Sequence, residues 1–277
     1  MKKIFLATFL AIFCFAEQRI VTLAPSINEI VFALGMGENV VANTKHCSFP
    51  EASKKVEKIG GYASISLEKI LKAKPTVVIG QNYDEKLNTN LEKLGIQTKI
   101  YKTTSMDNIK NTILDLGIYF NKEENANKIV TDINNGLENL KDITKDKKIL
   151  VVISPKKDLH RQIYVSGNYL YFEDIIKASG NKNAYFSTSS MQPVVNVEKI
   201  IKMNPDIIVL LAPFYDGKPD ELETLKNSWK ELPINASKKD YIYAVDKLYA
   251  GIPSDRVVYF MKDFKKILED VRSKELQ

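Results

Sequence analysis

The feature that most constrains this chain is a segment it carries twice. Ser66-Leu-Glu-Lys-Ile-Leu-Lys-Ala-Lys-Pro-Thr-Val-Val-Ile-Gly80 returns as Asn196-Val-Glu-Lys-Ile-Ile-Lys-Met-Asn-Pro-Asp-Ile-Ile-Val-Leu210. Glu68 and Glu198 mark the copies, 130 residues apart (198 − 68). That period is too long for a solenoid and about right for a domain. Each copy reads as a short helix with a polar residue at its cap, stopped before a proline and followed by a β-branched strand. The repeat predicts two α/β lobes of similar build, each with a glutamate at the same place.

The first sixteen residues stand outside that pattern. Lys2 and Lys3 precede the apolar run Ile4 to Phe15, and Cys14-Phe15-Ala16 resembles the small-x-small cleavage site of a secretory signal. The run is shorter than the roughly 20 apolar residues that span a bilayer. Residues 1–16 are therefore read as a cleaved signal peptide. Phe13 before Cys14 is a poor fit to a lipoprotein site, so a soluble exported product is expected. Loss of Lys2 and Lys3 takes the formal charge from +6 to +4 (38 basic against 34 acidic residues). The remaining excess is spread along the chain with no basic, aromatic-interleaved block, which argues against nucleic acid. The mature chain keeps only Cys47, which excludes an intramolecular disulfide.

Strand patterns at Arg19–Ala24, Val40–Ala42, Thr98–Tyr101, Lys147–Ile153 and Tyr241–Val245 alternate with helical ones. Alternation of this kind predicts parallel sheets with crossover helices. Ala126, Ile129, Val130, Ile133, Leu137 and Leu140 recur at three- and four-residue spacing, which predicts one long connecting helix over 121–145. The expected domains are a lobe over 17–120, that helix, and a lobe over 146–277. The fold class is α/β: two Rossmann-like lobes with parallel sheets, joined by a rigid helix, with a ligand cleft between them.

The two histidines, His46 and His160, are 114 residues apart (160 − 46) and so cannot form HExxH, and they are too few for larger histidine metal sites. CxxC, GxSxG, GxxxxGK[ST] and GxGxxG motifs are absent. The reading is a non-enzyme with no intrinsic cofactor. A carboxylate-only enzyme is the one enzymatic class these residues leave open.

Several pieces, in order, resemble the periplasmic binding proteins that serve importers of iron chelates, haem and cobalamin. They are Arg19-Ile-Val-Thr-Leu-Ala-Pro-Ser-Ile-Asn-Glu29, Phe49-Pro50, Lys58-Ile-Gly-Gly-Tyr62, both repeat copies, Tyr171 to Gly180 and Gly251-Ile-Pro-Ser-Asp-Arg256. The resemblance implies a periplasmic, monomeric receptor that binds a ferric siderophore or haem and delivers it to a permease driven by a separate ATPase. Cobalamin is the alternative ligand, and a module that sequesters or senses without transport is the alternative class. The family docks its permease through one glutamate per lobe, and Glu68 and Glu198 sit at the matching positions. The local alternative is that each carboxylate favours its own helix amino end, by about 0.3–1 kcal/mol.

Ligands of parallel α/β lobes sit beyond the carboxyl ends of the strands. That rule, with the resemblance, selects Pro25, Ser26, Lys45, His46, Tyr62 and Tyr83 in the first lobe, and Phe214, Tyr215, Tyr249 and Arg256 in the second. Pro25 and Ser26 open a helix whose free N–H groups suit an anion or carbonyl. The aromatic residues suit a flat, partly polar chelate. Lys45, Arg161, Lys247 and Arg256 would give the cleft a positive field, and His46 or Tyr62 would ligate iron through a bound chelate. Cobalamin members of the family tend to have tryptophans around the cleft. Here Trp229 is the sole tryptophan and Gln81 stands where an aromatic is expected, which favours haem or an iron chelate.

Overall fold

The structure is a computed structural model that describes residues 18–61, 64–81, 85–189 and 191–277. The signal-peptide reading and the candidates Tyr62 and Tyr83 lie outside the described residues.

In the first lobe β1 (Ile20–Thr22), β2 (Val40–Asn43), β3 (Glu57–Lys58), β4 (Val77–Gln81) and β5 (Thr98–Tyr101) form one parallel sheet in the order β3-β2-β1-β4-β5. Its helices are α1 (Pro25–Ala33), α2 (Glu51–Lys54), α3 (Leu67–Lys72), α4 (Glu85–Lys93) and α5 (Met106–Tyr119), and α6 (Glu123–Glu138) then leads out of the lobe. In the second lobe β6 (Lys148–Ile153), β10 (Ile207–Leu211) and β11 (Ile242–Val245) run parallel in the order β11-β10-β6. The far edge of β6 is shared by antiparallel β7 (Ile163–Val165) and parallel β8 (Lys182–Asn183), and β9 (Val194–Val195) extends β7. The helices are α7 (Tyr171–Ala178), α8 (Val197–Met203), α9 (Pro219–Lys230), α10 (Asn235–Lys238) and α11 (Val257–Glu275).

The duplicated segment folds the same way twice. Ser66 Oγ accepts from the Lys69 amide at 3.2 Å and Asn196 Oδ1 from the Lys199 amide at 2.9 Å, so each copy satisfies one orphan donor of its helix start. Each helix ends in a left-handed residue just before the proline, Lys74 with φ 48° and Asn204 with φ 45°. The strands that follow, β4 and β10, are buried along their whole length. Strands buried on both faces need apolar residues at every position rather than at alternate ones, and both copies supply them.

One face of each sheet packs into a private core. Val78 and Ile70 belong to that of the first lobe, and Ile208 and Ile200 to that of the second. The opposite faces share a single core. Val77 and Ile79 from β4, Ile207 and Val209 from β10, Ile133 from α6, and Phe260 and Phe264 from α11 belong to one buried cluster that runs through both lobes. The helix expected over 121–145 is shorter, 16 residues from Glu123 to Glu138. Leu140 and Ile143 prolong its apolar spacing and are buried, but they lie in the turn after it, where Asp142 adopts a φ of 60°. The short strands β7 and β9 also lie outside the predicted pattern, because two or three residues at a sheet edge give too short an alternation to read.

Candidate functional site

The cleft is defined by the loops that follow β1, β2 and β4 in one lobe and β6, β10 and β11 in the other. Its floor is the seam where the starts of α1 and α11 meet. Glu29 in α1 and Arg256 before α11 form a two-point ion pair. Arg256 Nε donates to Glu29 Oε2 at 3.0 Å, and Nη2 pairs with Oε1. Ser254 Oγ donates to Glu29 Oε2 at 2.5 Å. Arg256 is 7% exposed, and its guanidinium lies over the Phe49 ring, 3.8 Å from the centroid. Arg256 was expected to contact ligand. In the structure its Nε and Nη2 go to Glu29 and its guanidinium faces Phe49, so it joins the lobes. Burial pushes the Glu29 carboxyl up, against the pull of Arg256 and Ser254. Beside it, burial and the Glu29 charge push the Asp255 carboxyl up to about 7. Asp255 Oδ1 is buried with no hydrogen-bond partner among the described residues.

A polar network holds the loop after β2. The Asn28 side chain accepts from Thr22 Oγ1 at 3.0 Å and donates to the Phe49 carbonyl at 3.1 Å and to Ser53 Oγ at 2.9 Å. Asn43 donates to Asn28 Oδ1 and Ser53 Oγ, both at 3.0 Å, and Lys58 Nζ donates to Asn43 Oδ1 at 2.6 Å. Buried polar groups satisfied in this way fix one loop geometry. Cys47 is buried in the same loop, its Sγ 3.3 Å from Thr44 Oγ1, and burial pushes its thiol up. The thiol packs in the core of the loop.

Lys45 and His46 are exposed on this loop, on the lip of the cleft. The Lys45 amide donates to the Gly60 carbonyl at 2.8 Å. A Cβ at Gly61 would collide with the Lys45 side chain and come within 3.2 Å of His46 Nε2, so both side chains lie across that glycine. Pro25 and Ser26 do follow β1 at the floor, but both are buried, so the start of α1 is closed to solvent rather than open to an anion.

Across the cleft, Phe214 is 72% exposed in the turn after β10, whereas Tyr215 packs on the core of its own lobe. The Tyr249 hydroxyl donates to Asp263 Oδ2 at 2.5 Å and its ring meets Tyr259 edge-on, so it packs against α11 and its hydroxyl is already used. Lys247 pairs with Asp216 and, at 3.6 Å, with Asp246, and Arg161 pairs with Asp158 at 3.1 Å. The predicted positive field is therefore largely cancelled on this side. Among the described residues no group of three or more His, Cys, Asp or Glu side chains is placed to hold a metal ion. No helix among them is long and apolar enough to cross a membrane.

Glu68 and Glu198 are exposed in the first turns of α3 and α8. Crossover helices run antiparallel to the strands they feed, so both helices begin on the cleft side of their sheets. Neither glutamate forms an ion pair with a described residue.

Sequence reasoning quoted Phe49 only as part of a motif and missed its contact with Arg256. The only local signal was an aromatic residue before proline in a loop beyond a strand end.

Comparison with known proteins agrees with this architecture. Residues 20–249 match the family model described as periplasmic binding protein. An ABC transporter substrate-binding lipoprotein of Bacillus subtilis (strain 168) is 29% identical over 240 residues, 83% of this chain and 73% of its own. A vitamin B12-binding protein of Vibrio campbellii (strain ATCC BAA-1116) is 26% identical over 261 residues, 93% of this chain and 91% of its own. Among solved structures, the periplasmic vitamin B12 binding protein of Vibrio cholerae superposes with a TM-score of 0.76 at 21% identity, covering 93% of this chain and 98% of that one. A periplasmic haem-binding protein in complex with two haems superposes at 0.75 with 15% identity, covering 92% and 99%. The two-lobed fold and a family match over most of the chain agree: the chain belongs to the periplasmic binding protein family.

Proposed function

We propose that this protein is the exported, non-enzymatic solute-binding component of an ABC importer, and that it delivers a metal macrocycle, haem in the first instance, to a membrane permease with a separate ATPase. The observation that carries the ligand class is the lip formed by Lys45 and His46. It offers one cation, with no ion pair to a described residue, beside one imidazole, in the same loop as the exposed aromatic residue Phe49. A propionate and a ferric centre are complementary to those two groups. The neutralisation of Lys247 and Arg256 argues against a strongly anionic siderophore, since that ligand needs the wider positive field.

Cobalamin is the second reading. It is favoured by the vitamin B12-binding relative, which matches nearly the full length. Titration of the purified protein with haemin and with cyanocobalamin tests both. A Soret shift at micromolar protein is expected with haemin. No shift with haemin and saturable binding of cyanocobalamin would select the second reading, and binding of neither would overturn the macrocycle class.

A further inference from the structure

Three features of Phe49 set it apart from the other exposed aromatic residues. It sits beyond the carboxyl end of β2, on the cleft side of its sheet. Its backbone is fixed, because its carbonyl accepts from the Asn28 side chain inside the buried network. Its ring is covered on one face by the Arg256 guanidinium, yet the residue is still 41% exposed. A packing aromatic would be buried, and an idle surface aromatic would not be held by a cation from the opposite lobe. The guanidinium is itself fixed by Glu29, so the stack Glu29–Arg256–Phe49 joins both lobes at the floor.

The chemistry of such a stack is directional. A cation against one face of an aromatic ring draws on its π density, which makes the other face a better partner for an electron-rich π system. A porphyrin ring is flat and electron-rich, a corrin carries an open conjugated system over most of its ring, and offset stacking is the arrangement aromatic faces prefer. A rigid platform also loses little side-chain freedom on binding.

We propose that Phe49 is a specificity-determining contact, the ring on which the bound macrocycle stacks, with Arg256 as the positioning residue that holds and polarises it. This rests on the macrocycle reading above and goes further, since it assigns the contact to a residue and predicts selectivity for flat conjugated ligands.

The test is equilibrium titration of wild type and the variants F49A, F49L and F49W with haemin and with cyanocobalamin, with a thermal melt of each protein. F49A and F49L are expected to bind the wild-type ligand about tenfold more weakly or worse, while F49W stays within about threefold, because stacking needs a ring and not merely apolar area. If wild type binds a macrocycle and a folded F49A binds it equally tightly, the stacking assignment is wrong. Equal binding by F49L and F49W would reduce Phe49 to apolar filling and overturn it too. Binding of neither macrocycle by wild type is a different failure, that of the ligand class itself. If F49A fails to fold, the comparison of F49L with F49W still decides.

Discussion

Lys74 and Asn204 adopt nearly the same left-handed backbone conformation, φ 48° and φ 45°, at matching positions of the two lobes. Each ends the helix of its repeat copy and turns the chain through a proline into a fully buried strand. A non-glycine residue held in this region costs about 1–2 kcal/mol. Both lobes bear that cost at the same corner, but with different side-chain support.

The difference gives a first expectation. The Asn204 side chain accepts from the Asn235 amide at 2.7 Å, whereas no side-chain bond of Lys74 is formed with a described residue. Lys74→Gly should raise the unfolding free energy by up to about 1 kcal/mol, strain relief exceeding the entropy cost of glycine. Asn204→Gly relieves less strain, because asparagine tolerates this region, and leaves the Asn235 amide without its partner at a cost of about 1–3 kcal/mol, so it should lower the unfolding free energy by about 1 kcal/mol. Urea titrations of the two variants should therefore move in opposite directions.

The pair at the seam makes a second. Arg256→Leu leaves Glu29 buried without its partner and should cost about 3–5 kcal/mol. Glu29→Leu with Arg256→Leu removes both charges and should cost less than Arg256→Leu alone, a coupling that a double-mutant cycle by chemical denaturation would measure.

Stability should also depend on pH through Asp255. Its folded carboxyl is raised from the ordinary 3.8 to about 7. Between those values the folded state holds a proton that the unfolded state has lost, so this group's contribution falls as pH rises from about 4 to about 7 and levels off above. Burial shifts Glu29 in the same direction. Asp255→Asn should flatten that slope and raise the melting temperature at pH 8 by a few degrees, about 2–4 °C for each kcal/mol in a chain of this size. Melting curves from pH 4 to pH 8 would show it, and an unchanged slope would contradict it.

At the lip, Gly61→Ala should act on binding rather than folding. Its Cβ would displace the Lys45 side chain and crowd His46. Macrocycle affinity is expected to fall several-fold while the melting temperature changes by less than about 2 °C, as a rearranged exposed side chain has little effect on stability.

For the docking role, Glu68→Lys with Glu198→Lys should abolish uptake in cells while leaving ligand affinity intact. Helix stability should change by no more than about 1 kcal/mol per site, the scale of the charge–dipole effect. Normal uptake by the double variant would leave each carboxylate with only its local helix role.

The repeat was legible because each copy is governed locally. A polar cap, a glutamate in the first turn, a proline stop and a β-branched strand act within fifteen consecutive residues, and both copies fold accordingly. The connecting helix was overextended because Leu140 and Ile143 keep its apolar rhythm from inside a turn. The ion pair of Arg256 was illegible for the opposite reason. Its partner Glu29 lies 227 residues away in sequence, so nothing near it announces the ion pair. A separation of 207 residues (256 − 49) likewise hid the contact that Phe49 makes with it.

A core owned in common by both lobes has a consequence for recognition. Side chains from β4, α6, β10 and α11 pack in one cluster, and close-packed interiors resist shear. Filling the cleft should therefore change the outline of the molecule little, and small-angle scattering of empty and filled protein should nearly superimpose. A transporter that meets such a receptor has scant change of silhouette by which to tell cargo from vacancy. Its discrimination would have to fall on the cargo itself, or on the time the receptor stays docked.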